Sequence, residues 1–328
     1  MKRLKKIGAV VALIALCAAP VCADTPSLAA LQNGVKDFSA SLAKTLPFNA
    51  SIGLNWSDAY IGQLLSMPPH FGVGVSGGVT TMDMDAFQGL LDAFNIPLPL
   101  DTNKMILPAY TVEGRIGGFI LPFDLGVKFG ALPPVTYSNM DMNYLLVGGS
   151  LRYAVLKGGV ILPKISVGLG VNYLKGGIAT TIEGVGTKFD VPGGDELVLS
   201  DPKVSLEWST LALDVTAQVS KSLFIITPYL GVGASYAKSK AGYRAESSLT
   251  YGGNALDQAA IDTIKGSVSG LDDLDASGFS SIIEDTGFSF RAFGGLSLNL
   301  AVIKLDFTGM LNFRDMNFGG TFGVRFQL

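Results

Sequence analysis

Cysteine, histidine and charged residues are all scarce in this chain of 328 residues. It has two cysteines, one histidine and only 16% charged residues, against 41 glycines and a mean hydropathy of +0.40. A soluble domain seldom combines so much apolar and glycine content with so few charges. Beyond residue 23, no apolar run reaches the roughly 18 residues that a membrane-spanning helix needs. Membrane residence would therefore require a closed β-barrel, because lipid offers no partners to free backbone amides.

The first 23 residues have the pattern of a secretory signal peptide. A basic start, formed by Lys2, Arg3, Lys5 and Lys6, precedes the apolar stretch 7–19. Val21-Cys22-Ala23 then supplies small residues at the spacing that signal peptidase requires. We predict cleavage after Ala23. A retained anchor or a lipoprotein is the alternative, but the residue before each cysteine, Leu16 or Val21, is larger than a lipobox prefers.

Cleavage at this site would change the chemistry of the mature chain. It removes both cysteines, so a disulfide, a thiol nucleophile and a thiolate metal site are all excluded. It also removes four of the 24 basic residues, which leaves a formal net charge of about −7 against the 27 acidic residues. An acidic chain without a basic run is a poor candidate for binding nucleic acid, and we expect no such partner.

Alternation with a period of two continues to the last residue of the chain. Phe318, Phe322 and Phe326 fall on one face of the last strand, and Thr321 and Arg325 fall on the other. The same pattern predicts ten strands, at 71–80, 110–121, 123–131, 144–155, 161–173, 211–219, 224–244, 288–300, 303–313 and 318–328. The predicted fold class is all-β: a single transmembrane antiparallel β-barrel of about ten strands, with a range of 10 to 14, over residues 70–328.

The connections between these predicted strands alternate in length. Short turns fall near Pro122, 157–159, 220–222 and Ala301, and long loops cover about 81–108, 132–141, 183–198 and 245–284. Outer-membrane barrels have short periplasmic turns and longer external loops. With a periplasmic C-terminus, every long loop lies outside the cell.

Residues 24–69 precede the predicted barrel. Apolar residues at helical spacing predict an amphipathic helix over Leu28 to Leu46, and Phe48 to Trp56 has the pattern of a short strand. Three placements fit this partly helical segment: it plugs the lumen, lies below the barrel in the periplasm, or adds strands to make twelve.

The inward positions of the predicted strands carry charges of both signs. They are Glu113, Arg115, Asp124, Lys128, Arg152, Lys164, Asp214, Arg291, Lys304, Asp306 and Arg325. One interpretation is a lumen filled by paired charges, because a barrel of this size has little interior space. The other is a polar path that selects a solute.

Catalysis requires a base within reach of its nucleophile, and the sequence offers only His70. His70 lies at the predicted periplasmic start of the first strand, whereas the acidic pair Asp83 and Asp85 lies at its external end. We therefore predict no enzymatic activity, no metal site and no cofactor.

Residues 84–96 of the first long loop predict a short amphipathic helix. Phe87, Leu90, Leu91 and Phe94 form its apolar stripe. This stripe either packs over the mouth of the barrel or forms an apolar lid at which a ligand docks.

Two resemblances follow from these patterns. The last strand resembles the C-terminal signal of outer-membrane proteins, carried by Phe318, Phe322 and Phe326, with Leu328 where phenylalanine is usual. That resemblance implies outer-membrane lipid and the barrel-assembly machinery as partners. Residues 24–69, of hatch size, and the apolar stretch 87–100 resemble FadL-like transporters of hydrophobic compounds, particularly the spirochaete type. Those barrels have fourteen strands and an Asn-Pro-Ala hatch motif, which this chain lacks.

Two functions are compatible with these features. The first is a barrel that passes small solutes, hydrophobic ones included, across the outer membrane. The alternative is a surface structural or interaction barrel, adhesin-like, that transports nothing and acts through its external loops.

Overall fold

A closed antiparallel β-barrel dominates the computed structural model of the chain. One helix, α1 (Leu28–Ala50), precedes the strands. The strands are β1 (Phe71–Asp83), β2 (Lys104–Gly117), β3 (Phe123–Tyr137), β4 (Met140–Lys157), β5 (Lys164–Thr181), β6 (Thr187–Asp190), β7 (Glu196–Leu199), β8 (Lys203–Ser220), β9 (Ile226–Glu246), β10 (Leu249–Tyr251), β11 (Asn254–Ala255), β12 (Leu274–Asp275), β13 (Gly278–Leu300), β14 (Ile303–Asn312) and β15 (Asn317–Gln327). The structure describes residues 28–66, 69–83, 104–137, 140–181, 187–190, 196–199, 203–246, 249–251, 254–255, 274–275 and 278–328.

Ten of these strands form the barrel wall. Their order is β13-β14-β15-β1-β2-β3-β4-β5-β8-β9, and a further pairing of β9 with β13 closes the ring. The first and last strands meet in this ring, where Val75 of β1 pairs with Val324 of β15. The predicted ten-stranded barrel is therefore confirmed. The short strands β6, β7, β10 and β11 form a separate four-stranded sheet.

The predicted strand ends are less accurate at the long-loop end of the barrel. The loop expected at 132–141 is wrong, because β3 and β4 pair there out to Tyr137 and Met140, with a register shift between Leu132 and Val135. The loop expected at 245–284 contains the first residues of β13, which pair with β9. Pro133 and Pro134 interrupt the alternation in β3, and the exposed charges Lys240 and Glu284 interrupt it in β9 and β13. The pattern that marks a membrane strand therefore stops short of the strand itself.

The wall is much taller on one side than on the other. Strands β8, β9 and β13 have 18, 21 and 23 residues, whereas β14 and β15 have 10 and 11. The rings of Tyr236 and Phe288 meet on the outer face of the tall side with centroids 4.9 Å apart. Beyond this pair the outer face becomes charged, since Glu284 lies 2.5 Å from Lys240. Aromatic residues at the edge of an apolar band are typical of a membrane interface.

Side chains alternate across the wall as a membrane barrel requires. Large apolar residues such as Val75, Leu169 and Leu213 face outward and are more than half exposed. Most inward positions carry polar, charged or small residues, and large apolar residues face inward mainly near the long-loop end. Among the described residues, no helix has the length and apolar character to cross a membrane.

The N-terminal segment lies inside the barrel. Helix α1 confirms the predicted helix and extends it to Ala50, and the described residues 51–66 that follow contain no strand. The strand expected at Phe48 to Trp56 is therefore wrong: its first three residues finish the helix, and the rest bond to wall side chains instead of to a neighbouring strand. We call residues 28–61 the plug.

The plug runs from the long-loop end of the barrel towards the short turns. Thr45 accepts a hydrogen bond from Asn317, the first residue of β15, whereas Asp58 contacts Arg325 near the end of the same strand. The N-terminal end of α1 therefore points towards the long loops, and the chain descends through the lumen before it begins β1.

Candidate functional site: the plugged lumen

The upper lumen is apolar. Phe38, Leu42 and Leu46 of α1 are buried in a cluster with side chains from the outer ends of several strands. Those wall residues are Met82, Leu146, Leu174, Leu206, Ala241 and Tyr243. At this level, inward wall positions that are polar lower in the barrel become apolar, so the helix packs as it would in a protein core.

The middle of the lumen is held by hydrogen bonds to the plug backbone. Lys128 of β3 donates to the carbonyls of Ala50 and Ile52 at 2.7 and 2.6 Å. Glu113 of β2 accepts from the Leu54 amide and from the Trp56 indole, both at 2.7 Å. The wall side chains thus satisfy backbone groups that no longer belong to a helix.

Gly53 permits the turn between the helix and the rest of the plug. Its φ is +90°, a backbone angle that residues with a side chain rarely adopt. A Cβ atom at this position would lie 2.5 Å from Oγ1 of Thr111. The plug backbone therefore approaches β2 closely at this point.

Asp58 is the main ionic anchor of the plug. Its carboxylate lies 2.5 Å from Lys304 on β14, 3.0 Å from Arg325 on β15 and 3.4 Å from Lys164 on β5. The side chain of Asp58 is 2% exposed, so these contacts form away from bulk water. Three cations from three strands converge on one carboxylate of the plug.

The same cations set the protonation of Asp58, which belongs to the plug and not to a spanning strand. Burial alone would raise the pKa of this carboxyl, but Lys304, Arg325 and Lys164 hold the pKa well below its ordinary value. Asp58 therefore stays ionised, and its ion pairs persist, at any mildly acidic pH.

A pH prediction follows from this lowered pKa. A carboxyl with a lowered folded pKa contributes stability that is present above its ordinary pKa of about 4 and is lost only below it. Acidification from neutral pH to about pH 5 should leave the plug seated. Conductance of the protein in planar bilayers, recorded across this range, provides the measurement. Opening that is already complete at pH 5 would show that other groups control the plug.

Two further carboxylates organise the wall around the plug. Asp124 pairs with Arg115 and with Arg152, whose Nε lies 2.9 Å away. Asp214 pairs with Arg291 at 2.8 Å and also accepts from Asn172 and Ser235. Arg152 continues to the plug by donating to the carbonyl of Asp58 at 2.8 Å.

The plug contacts every strand of the barrel wall. Nine strands reach it through hydrogen bonds or ion pairs, and β13 reaches it by packing Phe293 with Phe48 and Ile52. One contact residue for each of the nine, in strand order, is Thr80, Glu113, Lys128, Arg152, Lys164, Gln218, Tyr229, Lys304 and Arg325. The lumen is thus filled around its whole circumference.

The structure brings the predicted lumen charges together. Nine of the eleven are buried, and the side chains of Lys164 and Lys304 are 28% and 14% exposed. Phe318, Phe322 and Phe326 face outward, and the amide of Leu328 donates to Phe71; their role as an assembly signal stays a prediction. The signal peptide and the apolar stripe of Phe87, Leu90, Leu91 and Phe94 lie outside the described residues.

The sequence reasoning missed the plug's own side chains. Asn49, Trp56 and Asp58 all bind the wall, and none was selected as a site residue. Their signal was a polar cluster, Asn55-Trp56-Ser57-Asp58, between two apolar stretches. A lone carboxylate in such a segment needs a partner if it is buried, and the inward cations supplied several.

His70 and Asp83 lie at opposite ends of β1. His70 directly precedes the strand, with Nδ1 3.2 Å from the carbonyl oxygen of Leu328, and Asp83 is the last residue of the strand. The two residues are thirteen positions apart along the chain, which corresponds to roughly 40 Å in an extended strand. Within the described ranges, no three histidine, cysteine, aspartate or glutamate residues cluster as metal ligands would.

The chain matches one protein-family model and is similar to several solved structures. Residues 92–328 match a family model described as Lsa36-like. Among solved structures, the translocator domain of the autotransporter NalP from Neisseria meningitidis is 9% identical, with a TM-score of 0.35, and the match covers 91% of this chain and 99% of that chain. Ail of Yersinia pestis is 10% identical, with a TM-score of 0.24 and coverage of 79% and 97%. No curated protein matches the sequence.

The resemblance to FadL-like transporters is weak. A FadL homologue from Pseudomonas aeruginosa is 8% identical, with a TM-score of 0.22, and the match covers 79% of this chain and 90% of that chain. Such a low similarity does not indicate a shared substrate. The family model that matches this chain is the Lsa36-like one.

Proposed function

The chain belongs to the Lsa36-like family, and we propose that it is a closed outer-membrane barrel that acts at the cell surface through its long-loop end. The contact of the plug with all ten wall strands carries this proposal. A free path for a solute would require many of those contacts to break together.

The shape of the barrel supports a role at the surface. Strands β8, β9 and β13 extend beyond the Tyr236–Phe288 pair, and Lys238, Lys240 and Glu284 are exposed on their outer face. The sheet of β6, β7, β10 and β11 belongs to the loops at this end, since its strands follow β5 and β9 along the chain. A partner-binding function on loops is best served by such a scaffold. We propose no enzymatic activity for this barrel and expect the barrel-assembly machinery to insert it.

Gated transport is the second candidate function, because the plug is a segment separate from the wall and is held largely by polar contacts. A hydrophobic solute that passed a displaced plug would meet the wall charges Asp124 and Asp214 and their arginine partners. A displaced plug would therefore suit polar solutes better than apolar ones.

Conductance distinguishes the two functions. The purified, refolded protein should insert into planar bilayers and show no steady ion conductance, because the plug fills the lumen. Heat-modifiable migration on gels would verify that the barrel is folded, and an open general porin is the positive control. Steady single-channel steps from the unmodified protein would favour transport instead.

A further inference from the structure

A small cavity lies between the plug and one side of the wall. Its volume is about 60 Å³, and residues 51–55 of the plug form one side of it. Wall strands β2, β3, β4, β8 and β13 contribute the charged lining, which consists of Arg115, Lys128, Arg152, Asp214 and Arg291. An occupant of water size needs only ~10–15 Å³ of such space. The cavity therefore has room for a small ion together with water.

Positive charge exceeds negative charge around this cavity. Arg115 and Arg152 share Asp124, and Arg291 pairs with Asp214. Glu113 is the third carboxylate nearby, directly across the strand pair from Lys128. Four cations thus face three carboxylates, which leaves a formal surplus of one positive charge.

Lys128 is the cation without an ionic partner. Its side chain is buried, and Nζ donates only to the carbonyls of Ala50 and Ile52. Among the described residues, no carboxylate oxygen lies within 4.0 Å of this nitrogen. Glu113 is engaged instead by the Leu54 amide, the Trp56 indole and Thr111.

Arg115 supplies a second donor at the same cavity. It is 1% exposed, and its terminal nitrogens bond Asp124, Leu54 and Ser150. Within the part of the chain that the structure describes, its Nε has no hydrogen-bond partner. A buried donor and a buried unpaired charge are both unfavourable unless something compensates them. The Asp214 carboxylate is already engaged, since Ser235 and Arg291 donate to its Oδ1 and Asn172 donates to its Oδ2.

We propose that this cavity binds one monovalent anion of about chloride size, held by Lys128 and Arg115 and enclosed on one side by Ser51, Gly53, Leu54 and Asn55 of the plug. The anion neutralises the surplus charge and links the plug to the wall. This site does not depend on the proposed surface function, because a gated conduit with the same plug would need the same ion.

Chloride-dependent stability tests this proposal. Thermal unfolding of the refolded protein in neutral detergent would be followed as gluconate, which is too large for the cavity, is replaced by chloride at constant ionic strength. At a chloride concentration of roughly 100 times its dissociation constant, the unfolding midpoint should rise by about 5 °C and then follow the logarithm of chloride concentration. Equal midpoints in chloride and gluconate would overturn the site.

Lys128→Met is the matching variant, because it keeps the length of the side chain and removes the charge. Its midpoint should be the same in chloride and in gluconate. Lys221→Met is the control: Lys221 also donates to three carbonyls, those of Gly159, Val160 and Leu162, but on a short turn away from the cavity. The control should retain the full chloride response, and a response retained by Lys128→Met would overturn the proposal.

Bromide provides a readout on the unmodified protein if Lys128→Met does not fold. Crystals grown in bromide should show an anomalous peak in the cavity, near Nζ of Lys128. A cavity that contains only water under these conditions would show that Lys128 is accommodated without an anion.

Discussion

Asp58→Asn should convert the closed barrel into one that conducts ions. The substitution keeps the shape of the side chain and removes the one charge that Lys304, Arg325 and Lys164 share. Arg325 would keep Asp306, 3.2 Å away, but Lys304 would be left without an anionic partner in a buried site. Breaking a buried ion pair by removing one partner typically costs about 3–5 kcal/mol.

This loss destabilises the state in which the plug is seated in the lumen. A plug that leaves its site lets the freed cations reach water, so the closed state loses stability relative to an open state. A loss of this size increases the open fraction by roughly 10²–10³-fold or more. Single-channel recordings of refolded Asp58→Asn should therefore show openings that the unmodified protein lacks.

Asp285→Asn is the matched control for this experiment. Asp285 also binds an arginine with two oxygens, at 2.8 and 2.9 Å from Arg314, but both side chains are partly exposed near the rim. Surface ion pairs contribute at most about 1 kcal/mol. The control should remain closed. If Asp58→Asn stays closed while its heat-modifiable migration shows a folded barrel, Asp58 does not anchor the plug.

Cysteines on α1 should react with a membrane-impermeant maleimide on intact cells. The side chains of Asp37 and Lys44 are exposed, and the helix that carries them lies at the long-loop end. Asp37→Cys and Lys44→Cys should label almost completely, because nothing in the described wall covers these two positions. The two native cysteines lie in the predicted signal peptide, so the mature chain provides no background.

Phe224→Cys reports on the other end of the barrel. Phe224 is fully exposed on the short turn between β8 and β9. This variant should label only after the outer membrane has been made permeable. The reverse pattern, with Phe224→Cys labelled on intact cells and α1 protected, would show that the short turns face outward and that the surface function is wrong.

The barrel could be predicted because each strand carries its own evidence. Val112, Leu125 and Leu213 face outward while Glu113, Asp124 and Asp214 face inward, and this alternation depends only on neighbouring residues. The predicted strands β8, β9 and β13 fall short of the observed ones at the long-loop end for the same reason. Towards the long-loop end the outer face carries Lys238, Lys240 and Glu284, so an apolar stripe no longer marks the strand.

The pairing of the lumen charges could not be predicted from the sequence. Inward positions identify Lys304 and Arg325 as lumen residues, but their common partner, Asp58, lies more than 240 residues away along the chain. Alternation contains no information about such distant contacts. The position of the plug depends on charged residues from several strands. It therefore follows from the complete barrel and not from any single stretch of sequence.

The path of the plug also has a consequence for how the protein assembles. Strand β15 must pair with β1 to complete the ring, and residues of the same strand, Asn317 and Arg325, bind the plug. Contacts so distant in sequence form late, because the loop they close is long. The arrival of the final strand would therefore seal the seam and lock the plug in a single cooperative event. A nascent barrel whose seam is still open would be the last state in which the helix can be threaded.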